Sequence, residues 1–347
     1  MVKNTLQDLY AKHQGKVSDK WSLYLAEYER LFSYFRNSPV RLLEIGVQNG
    51  GSLEIWGCYF PRPERLVGCD INTDCHKLAY DDPRISVVVG DANDEETKNN
   101  ILDCSPAFDV IIDDGSHRSS DIVKSFVHYF PHLADEGVYV AEDLHCSYWQ
   151  EFEGGLYDPY SAISFFKCLS DVVSHEHWGV NKTREELLSE FSRNYGVMFD
   201  ETALSQIHSV EFINSMCVIR KSPSEKNRLG KRVISGNQAL VVDGVLGLQS
   251  TLSVAPSQIE NQWANLPKAP GEEFMSLKSR LGGSEAHISD LEVKLRSKDA
   301  ELRSKDAQLT EKEDFLASIL TSRSWCITAP LRQAGIVLKR LVRVLKK

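Results

Sequence analysis

No Cys-x-x-Cys occurs in the 347 residues, and the eight cysteines (Cys58, Cys69, Cys75, Cys104, Cys146, Cys168, Cys217, Cys326) show no Cys/His pairing at zinc-ligand spacing. A structural zinc site and a redox dithiol are therefore not expected, and the thiols read as buried or free in a reducing cytosol. No apolar run approaches the roughly 18 residues of a spanning helix, and the first residues lack the apolar core of a secretion leader. The expected compartment is the cytoplasm. Positive charge is also short, with 40 Lys and Arg against 49 Asp and Glu and a net charge of −9. Seven of those cations (Arg323, Arg332, Lys339, Arg340, Arg343, Lys346, Lys347) fall after residue 322 with no acid among them, which leaves −16 on the residues before. A body that acidic repels a phosphate backbone, so no nucleic-acid partner is expected.

What is present centres on Phe108 to Trp149. Phe108-Asp109-Val110-Ile111-Ile112-Asp113-Asp114-Gly115-Ser116-His117 and Gly137-Val138-Tyr139-Val140-Ala141-Glu142-Asp143-Leu144-His145 are apolar, largely β-branched runs that end in acid. Such runs read as strands of a parallel sheet buried on both faces. Between them, Asp121 to Leu133 has helical spacing (Ile122, Val123, Phe126, Val127, Phe130). A right-handed crossover makes the two strands parallel and brings both carboxyl ends to one edge, where open α/β sheets bind ligands. Asp113, Asp114, Glu142 and Asp143 would converge there with His117 and His145. Carboxylates so crowded raise one another's pKa, and a divalent cation is the simplest way to keep them ionised. Any one of these acids could equally be a helix N-cap. Two acidic pairs on one edge, with His117 three residues after Asp114, point to a metal or catalytic site.

Upstream, residues 1–40 read as helical, with Tyr24, Tyr28, Leu31, Phe32 and Phe35 in one stripe and Ser18-Asp19 as a possible cap. Arg41-Leu42-Leu43-Glu44-Ile45-Gly46-Val47-Gln48-Asn49-Gly50-Gly51-Ser52 is a strand running into a glycine turn, where the backbone can take positive φ and a ligand can approach closely. The spacing is not the dinucleotide G-x-G-x-x-G. Arg65 to Asp70 and Ile85 to Asp91 are further strands ending in acid, and a carboxylate at Asp70 can accept both ribose hydroxyls of a nucleoside. Ile207–Phe212 and Ser215–Arg220 flank Ile213-Asn214 as a β-hairpin. The expected divisions are a catalytic domain over 1–221, an extension and linker over 222–271, a coiled-coil helix over 272–322 and a basic tail over 323–347.

In the coiled-coil segment Phe274, Leu281, Ile288, Leu295, Leu302, Leu309 and Leu316 recur at steps of seven, while Leu277, Leu291 and Ile319 supply only part of a second seam and Gly282-Gly283 interrupts the run. Self-association into a homo-oligomer and an isolated solvated helix both fit. Residues 334–347 combine apolar Ile336, Val337, Leu338, Leu341, Val342, Val344 and Leu345 with five cations. An anionic membrane surface, a partner protein and the acidic body are each possible seats.

The order Glu44-x-Gly46-x-x-x-Gly50, Asp70, Gly90-Asp91 is similar to that of class I S-adenosylmethionine (SAM) dependent methyltransferases. With Ser18-Asp19-Lys20, Asp113-Asp114-Gly115-Ser116-His117 and Glu142-Asp143-Leu144-His145 added, the stretch Ser18 to Lys221 resembles the SAM-dependent sugar O-methyltransferases typified by the macrolide enzymes acting on macrocin and mycinamicin. The resemblance implies an α/β fold, a Rossmann-like doubly wound sheet of parallel strands with a terminal antiparallel hairpin. It implies SAM held by Glu44, Gly46, Gly50, Asp70, Asp91 and Asp113, Mg²⁺ held by Asp114, Glu142 and Asp143, His117 as the base, and a saccharide acceptor. His145 is a further candidate ligand or base, and Tyr148 and Trp149 are placed to stack on a sugar. Ala141 departs from the usual β-branched residue, and the coiled coil and tail have no counterpart in the macrolide enzymes. Ser322 to Arg332 resembles a tail of bacterial surface-polysaccharide enzymes, which moves the expected acceptor toward a polysaccharide or glycolipid precursor at the inner membrane face. A small glycosylated natural product is the alternative acceptor. A metal-dependent hydroxylase and a non-catalytic membrane-associated scaffold are the rival functions.

Overall fold

The computed structural model describes residues 4–265 and 272–345, except for the side chains of 265, 272–278, 285 and 340–345. Two compact units result, Met1–Gly271 and Glu272–Lys347.

The first unit is built on one seven-stranded sheet. Its strands are β1 (Val40–Ile45), β2 (Pro63–Asp70), β3 (Ile85–Val89), β4 (Phe108–Asp113), β5 (Leu133–Ala141), β6 (Ile207–Ile213) and β7 (Met216–Lys221), in the order β3-β2-β1-β4-β5-β7-β6. β1 to β5 are parallel and β7 runs antiparallel to both neighbours. This is the doubly wound sheet with a terminal antiparallel hairpin that the resemblance implies. Because side chains alternate across a strand, Leu43, Ile45, Ile111 and Tyr139 face one layer with Phe126 and Phe165, and Leu42, Val110, Ile112 and Val140 face the other with Phe32 and Trp56. Each such fully buried Leu, Ile or Phe contributes about 1.5–3 kcal/mol.

The register positions the site. Ile45 pairs with Asp113 and Asp113 with Ala141, so Gly46, Asp114 and Glu142 leave the sheet side by side. The chain is pinned there by Asp114 N donating to Ile45 O and Glu142 N to Asp113 O, both at 2.9 Å.

Several local expectations are corrected. The helix after β4 spans Ser119–Tyr129 and passes into a 3-10 turn, Phe130–His132, instead of reaching Leu133. Pro131 has no N–H to extend the α-helical ladder. β5 begins at Leu133 rather than Gly137, through a register shift between Phe108 and Val110. The hairpin turn is Asn214-Ser215, one residue later than expected, because Ser215 takes a left-handed φ of 69°. The N-terminal region is two helices, Leu6–Lys12 and Ser22–Phe32, joined by an extended strap over 13–21. Ser18 does not cap the second helix; its hydroxyl meets Tyr10 Oη at 3.0 Å.

Residues 222–265 have little regular structure and lie within the first unit, where Gln258 N donates to Gly179 O at 2.8 Å. The second unit is a 50-residue helix, Glu272–Thr321, followed by Arg323–Ile327 and Ala329–Leu345. The helix passes through Gly282-Gly283 unbroken, although each glycine costs about 1 kcal/mol in a helix interior. Leu281, Ile288, Leu295, Leu302, Leu309 and Leu316 are all exposed along it. The side chains of Phe274 and Leu277 lie outside the described residues.

Candidate functional site

The glycine turn after β1 forms one wall of the cleft. Gly46 has φ 86°, and a Cβ there would lie 2.0 Å from Asp114 O, so no side chain fits. Gly50, φ 78°, opens the helix Gly51–Tyr59. At the end of β2, Asp70 Oδ2 accepts from Val47 N at 3.0 Å and Gln48 N at 2.8 Å, while Oδ1 accepts from Asn72 N at 2.8 Å. The carboxylate thus fixes the turn as well as facing the cleft. Gly46, Asp70, Asp91 and Asp113 line one continuous recess with Ser116 and Ser125. Burial pushes the Asp113 carboxyl up to about 7, against hydrogen bonds from Gly115 N and Tyr139 Oη. Glu44 is fully buried beneath the turn, where Ser52 Oγ donates to it at 2.6 Å, and burial raises its pKa.

The adjoining cavity is lined by Lys20, Trp21, Gly46, Asp70, Asp114, His117, Glu142 and Asp143, among others. Asp114, His117 and Asp143 each bring one ligand atom to within 4.8 Å of the others. His117 Nε2 lies 3.8 Å from Asp143 Oδ2. Both residues sit in left-handed backbone, with φ 59° at His117 and 52° at Asp143. That conformation is costly for a side chain bearing a Cβ and persists where the surroundings enforce it, which is common at functional sites. Asp143 is enforced: its Oδ1 accepts from Trp21 Nε1 at 3.0 Å and Tyr24 Oη at 2.8 Å, and its N–H donates to Tyr24 Oη at 3.1 Å.

Glu142 is placed differently from expectation. It stands in the same cavity, yet its carboxylate is engaged by Lys20 Nζ at 2.7 Å and by the Tyr28 hydroxyl and is absent from the converging triplet. Lys20 Nζ also lies 2.5 Å from Asp114 Oδ2 and 3.5 Å from Glu44 Oε1, with its side chain only 3% exposed. Burial works against the ammonium, but Glu142, Asp114 and Glu44 outweigh it and hold it protonated. Burial in turn raises the carboxyls: Glu142 goes up to about 8 and Asp114 goes up, both opposed by Lys20. Three carboxyl groups face one ammonium, so their ionised forms exceed its charge, and burial raises the pKa of each. The donor set therefore suits an additional hard cation on oxygen ligands.

Lys20, Trp21, Tyr24 and Tyr28 were not among the expected site residues. The sequence places the tyrosines in an apolar stripe, but buried phenols need polar partners, and Lys20 brings a protein cation to an edge where only a bound metal was expected. His145 stands beside the site: its Nδ1 meets the Ser215 hydroxyl and lies 3.9 Å from Asp143 Oδ1. Its ring is edge-on to Trp21 and Trp149, at 6.2 and 5.0 Å between centroids. Tyr148 and Trp149 are partly exposed on this rim.

No family model matches the chain. Curated relatives do. The chain is 38% identical over 171 residues to 8-demethyl-8-alpha-L-rhamnosyl tetracenomycin-C 2'-O-methyltransferase of Streptomyces olivaceus, covering 46% of this chain and 44% of the relative. It is 36% identical over 202 residues to mycinamicin VI 2''-O-methyltransferase of Micromonospora griseorubida, covering 55% and 47%. The chain is a relative of the sugar O-methyltransferases. It spans somewhat less than half the length of these two. Among solved structures, the MycE methyltransferase from the mycinamycin biosynthetic pathway, in complex with Mg, SAH and mycinamycin VI, superposes with a TM-score of 0.51 at 27% identity, over 65% of this chain and 56% of that one. A second MycE structure, in complex with Mg and SAH, gives 0.54 at 26%, over 71% and 59%.

Proposed function

We propose that the protein transfers a methyl group from SAM to a hydroxyl of a sugar carried by a glycosylated natural product, with a divalent cation, Mg²⁺ by preference, in the site. The observation that carries this reading is the convergence of Asp114, His117 and Asp143 beside the Gly46–Asp70 cleft, with His117 and Asp143 both in left-handed backbone. The relatives' names support the acceptor: one specifies a rhamnosyl tetracenomycin and the other mycinamicin VI, which favours a small glycoside over the polysaccharide suggested by the tail.

Gly46, Gly50, Asp70, Asp91 and Asp113 would hold SAM, with Glu44 bracing the turn from beneath. Asp114 and Asp143 would hold the metal, with Glu142 beside them, its carboxylate engaged by Lys20 and Tyr28. A bound hard cation supplies charge that positions an acceptor hydroxyl and makes it more acidic. As the acceptor oxygen attacks the methyl carbon and the carbon–sulfur bond breaks, the hydroxyl proton passes to the His117 imidazole. Asp143 Oδ2 at 3.8 Å stabilises the imidazolium so formed. Trp21, His145 and Trp149 form an aromatic rim suited to a sugar ring and its apolar aglycone.

A hydroxylase centre of two imidazoles and one carboxylate is disfavoured, since the triplet has two carboxylates and one imidazole. The test is methyl transfer from labelled SAM to a panel of rhamnosylated polyketides, macrolide glycosides and glycolipid extract, with and without chelator. Labelled small glycoside, lost on chelation and restored by Mg²⁺, is expected. Label only in glycolipid would overturn the acceptor assignment, and turnover indifferent to chelation would overturn the metal.

A further inference from the structure

We propose that the helix Ala329–Leu345 is a surface-seeking element that lies in an anionic lipid interface. The sequence after Ser322 is basic without a single acid, in a chain that is otherwise strongly acidic. At 3.6 residues per turn the sequence gathers Leu331, Ala334, Val337, Leu338, Leu341 and Leu345 on one arc, and Arg332, Lys339, Arg340 and Arg343 on the other. Only Ile336 falls among the cations. Among the described side chains, Leu331, Val337 and Leu338 are 73%, 56% and 66% exposed, so the apolar arc faces solvent there. Ahead of it, Trp325 stacks under the Arg332 guanidinium at 3.6 Å, an amphipathic pair of the kind that sits at headgroup level.

Three features select lipid as the occupant. The apolar arc covers close to half the helix, wider than the narrow seam of a coiled coil. The flanks are of one sign, whereas coiled-coil flanks mix signs to set register. The segment is about 25 Å long at 1.5 Å per residue and no helix among the described residues is long and apolar enough to cross a membrane. A helix of that kind lies in the interface, its apolar face among the acyl boundary and its cations on anionic headgroups. Each Lys or Arg then changes partitioning about five-fold.

The test is co-sedimentation of the full-length protein with phosphatidylcholine vesicles, with or without 30 mol % phosphatidylglycerol. Binding to the anionic vesicles, absent on pure phosphatidylcholine and weakened at high salt, is expected. Lys339→Gln with Arg343→Gln should lower partitioning about 25-fold at roughly five-fold each. Leu338→Gln, which changes no charge, should lower it several-fold, with binding of S-adenosylhomocysteine unaltered in both variants. No binding to anionic vesicles would overturn the proposal. So would binding indifferent to Leu338→Gln, which would mean electrostatic adsorption without insertion. A lipid-free self-assembly or an association with the acidic body that Leu338→Gln dissolves, in place of vesicle binding, would reassign the apolar arc to protein.

Discussion

Replacing Lys20 by Met removes the one ammonium set among Glu44, Asp114 and Glu142, at 3.5, 2.5 and 2.7 Å. Breaking a buried ion pair by deleting one partner typically costs about 3–5 kcal/mol, because the other charge is left uncompensated. Asp114 keeps about a fifth of its side chain exposed, so the low end, about 3 kcal/mol, is expected. At roughly 2–4 °C per kcal/mol for a body of this size, Tm should fall by about 10 °C. The pH dependence separates this cause from simple loss of packing. Glu142, Glu44 and Asp114 all have folded-state pKa values raised by burial, Glu142 from 4.5 to about 8. A raised carboxyl binds its proton more tightly folded than unfolded, so its stabilisation is present at low pH and is lost as pH rises through that window. Lys20 opposes the rise at all three, and without it the loss is steeper. The difference between Lys20→Met and the parent should therefore be small near pH 5, should widen as pH rises through about 8, where the parent's Glu142 ionises, and should narrow when Mg²⁺ is added. Calorimetric unfolding across that range is the assay. A difference that does not change with pH, or one below about 1 kcal/mol where 3 is expected, would refute Lys20 as the counter-charge of the site.

His117→Ala should lower kcat by roughly 10²–10⁴, the usual share of a general base, with the Kd for S-adenosylhomocysteine unchanged by calorimetry. Gly46→Ala forces a Cβ to 2.0 Å from Asp114 O at φ 86°, so cofactor affinity should drop at least ten-fold in the fraction that folds, read by equilibrium dialysis. The exposed leucines at steps of seven on Glu272–Thr321 should self-associate; Leu302→Asp with Leu309→Asp should return the protein to a monomer in sedimentation velocity without altering S-adenosylhomocysteine binding.

The strands could be read from sequence because burial on both faces demands β-branched runs, and the edge chemistry because each run ends in its acid. Register then needed only the crossover rule to bring Asp114 and Asp143 together. What stayed hidden depended on tertiary partners. The hydroxyls of Tyr24 and Tyr28 look like core aromatics until Asp143 and Glu142 are seen above them. Lys20, 94 residues from Asp114 in sequence, carries no periodic signal. Glu142 looked equivalent to Asp143, and only the placement of Lys20 and Tyr28 tells them apart.

The strap over residues 13–21 lies outside the sheet, yet Gly51 N donates to Val17 O and Lys16 binds Glu54. A shortened protein beginning at β1 would retain all seven strands and both acidic pairs while discarding the ammonium that keeps those acids compatible. Trimming by the boundaries of the regular fold would thus yield an intact scaffold with an electrostatically orphaned pocket, so truncations should start before Leu6.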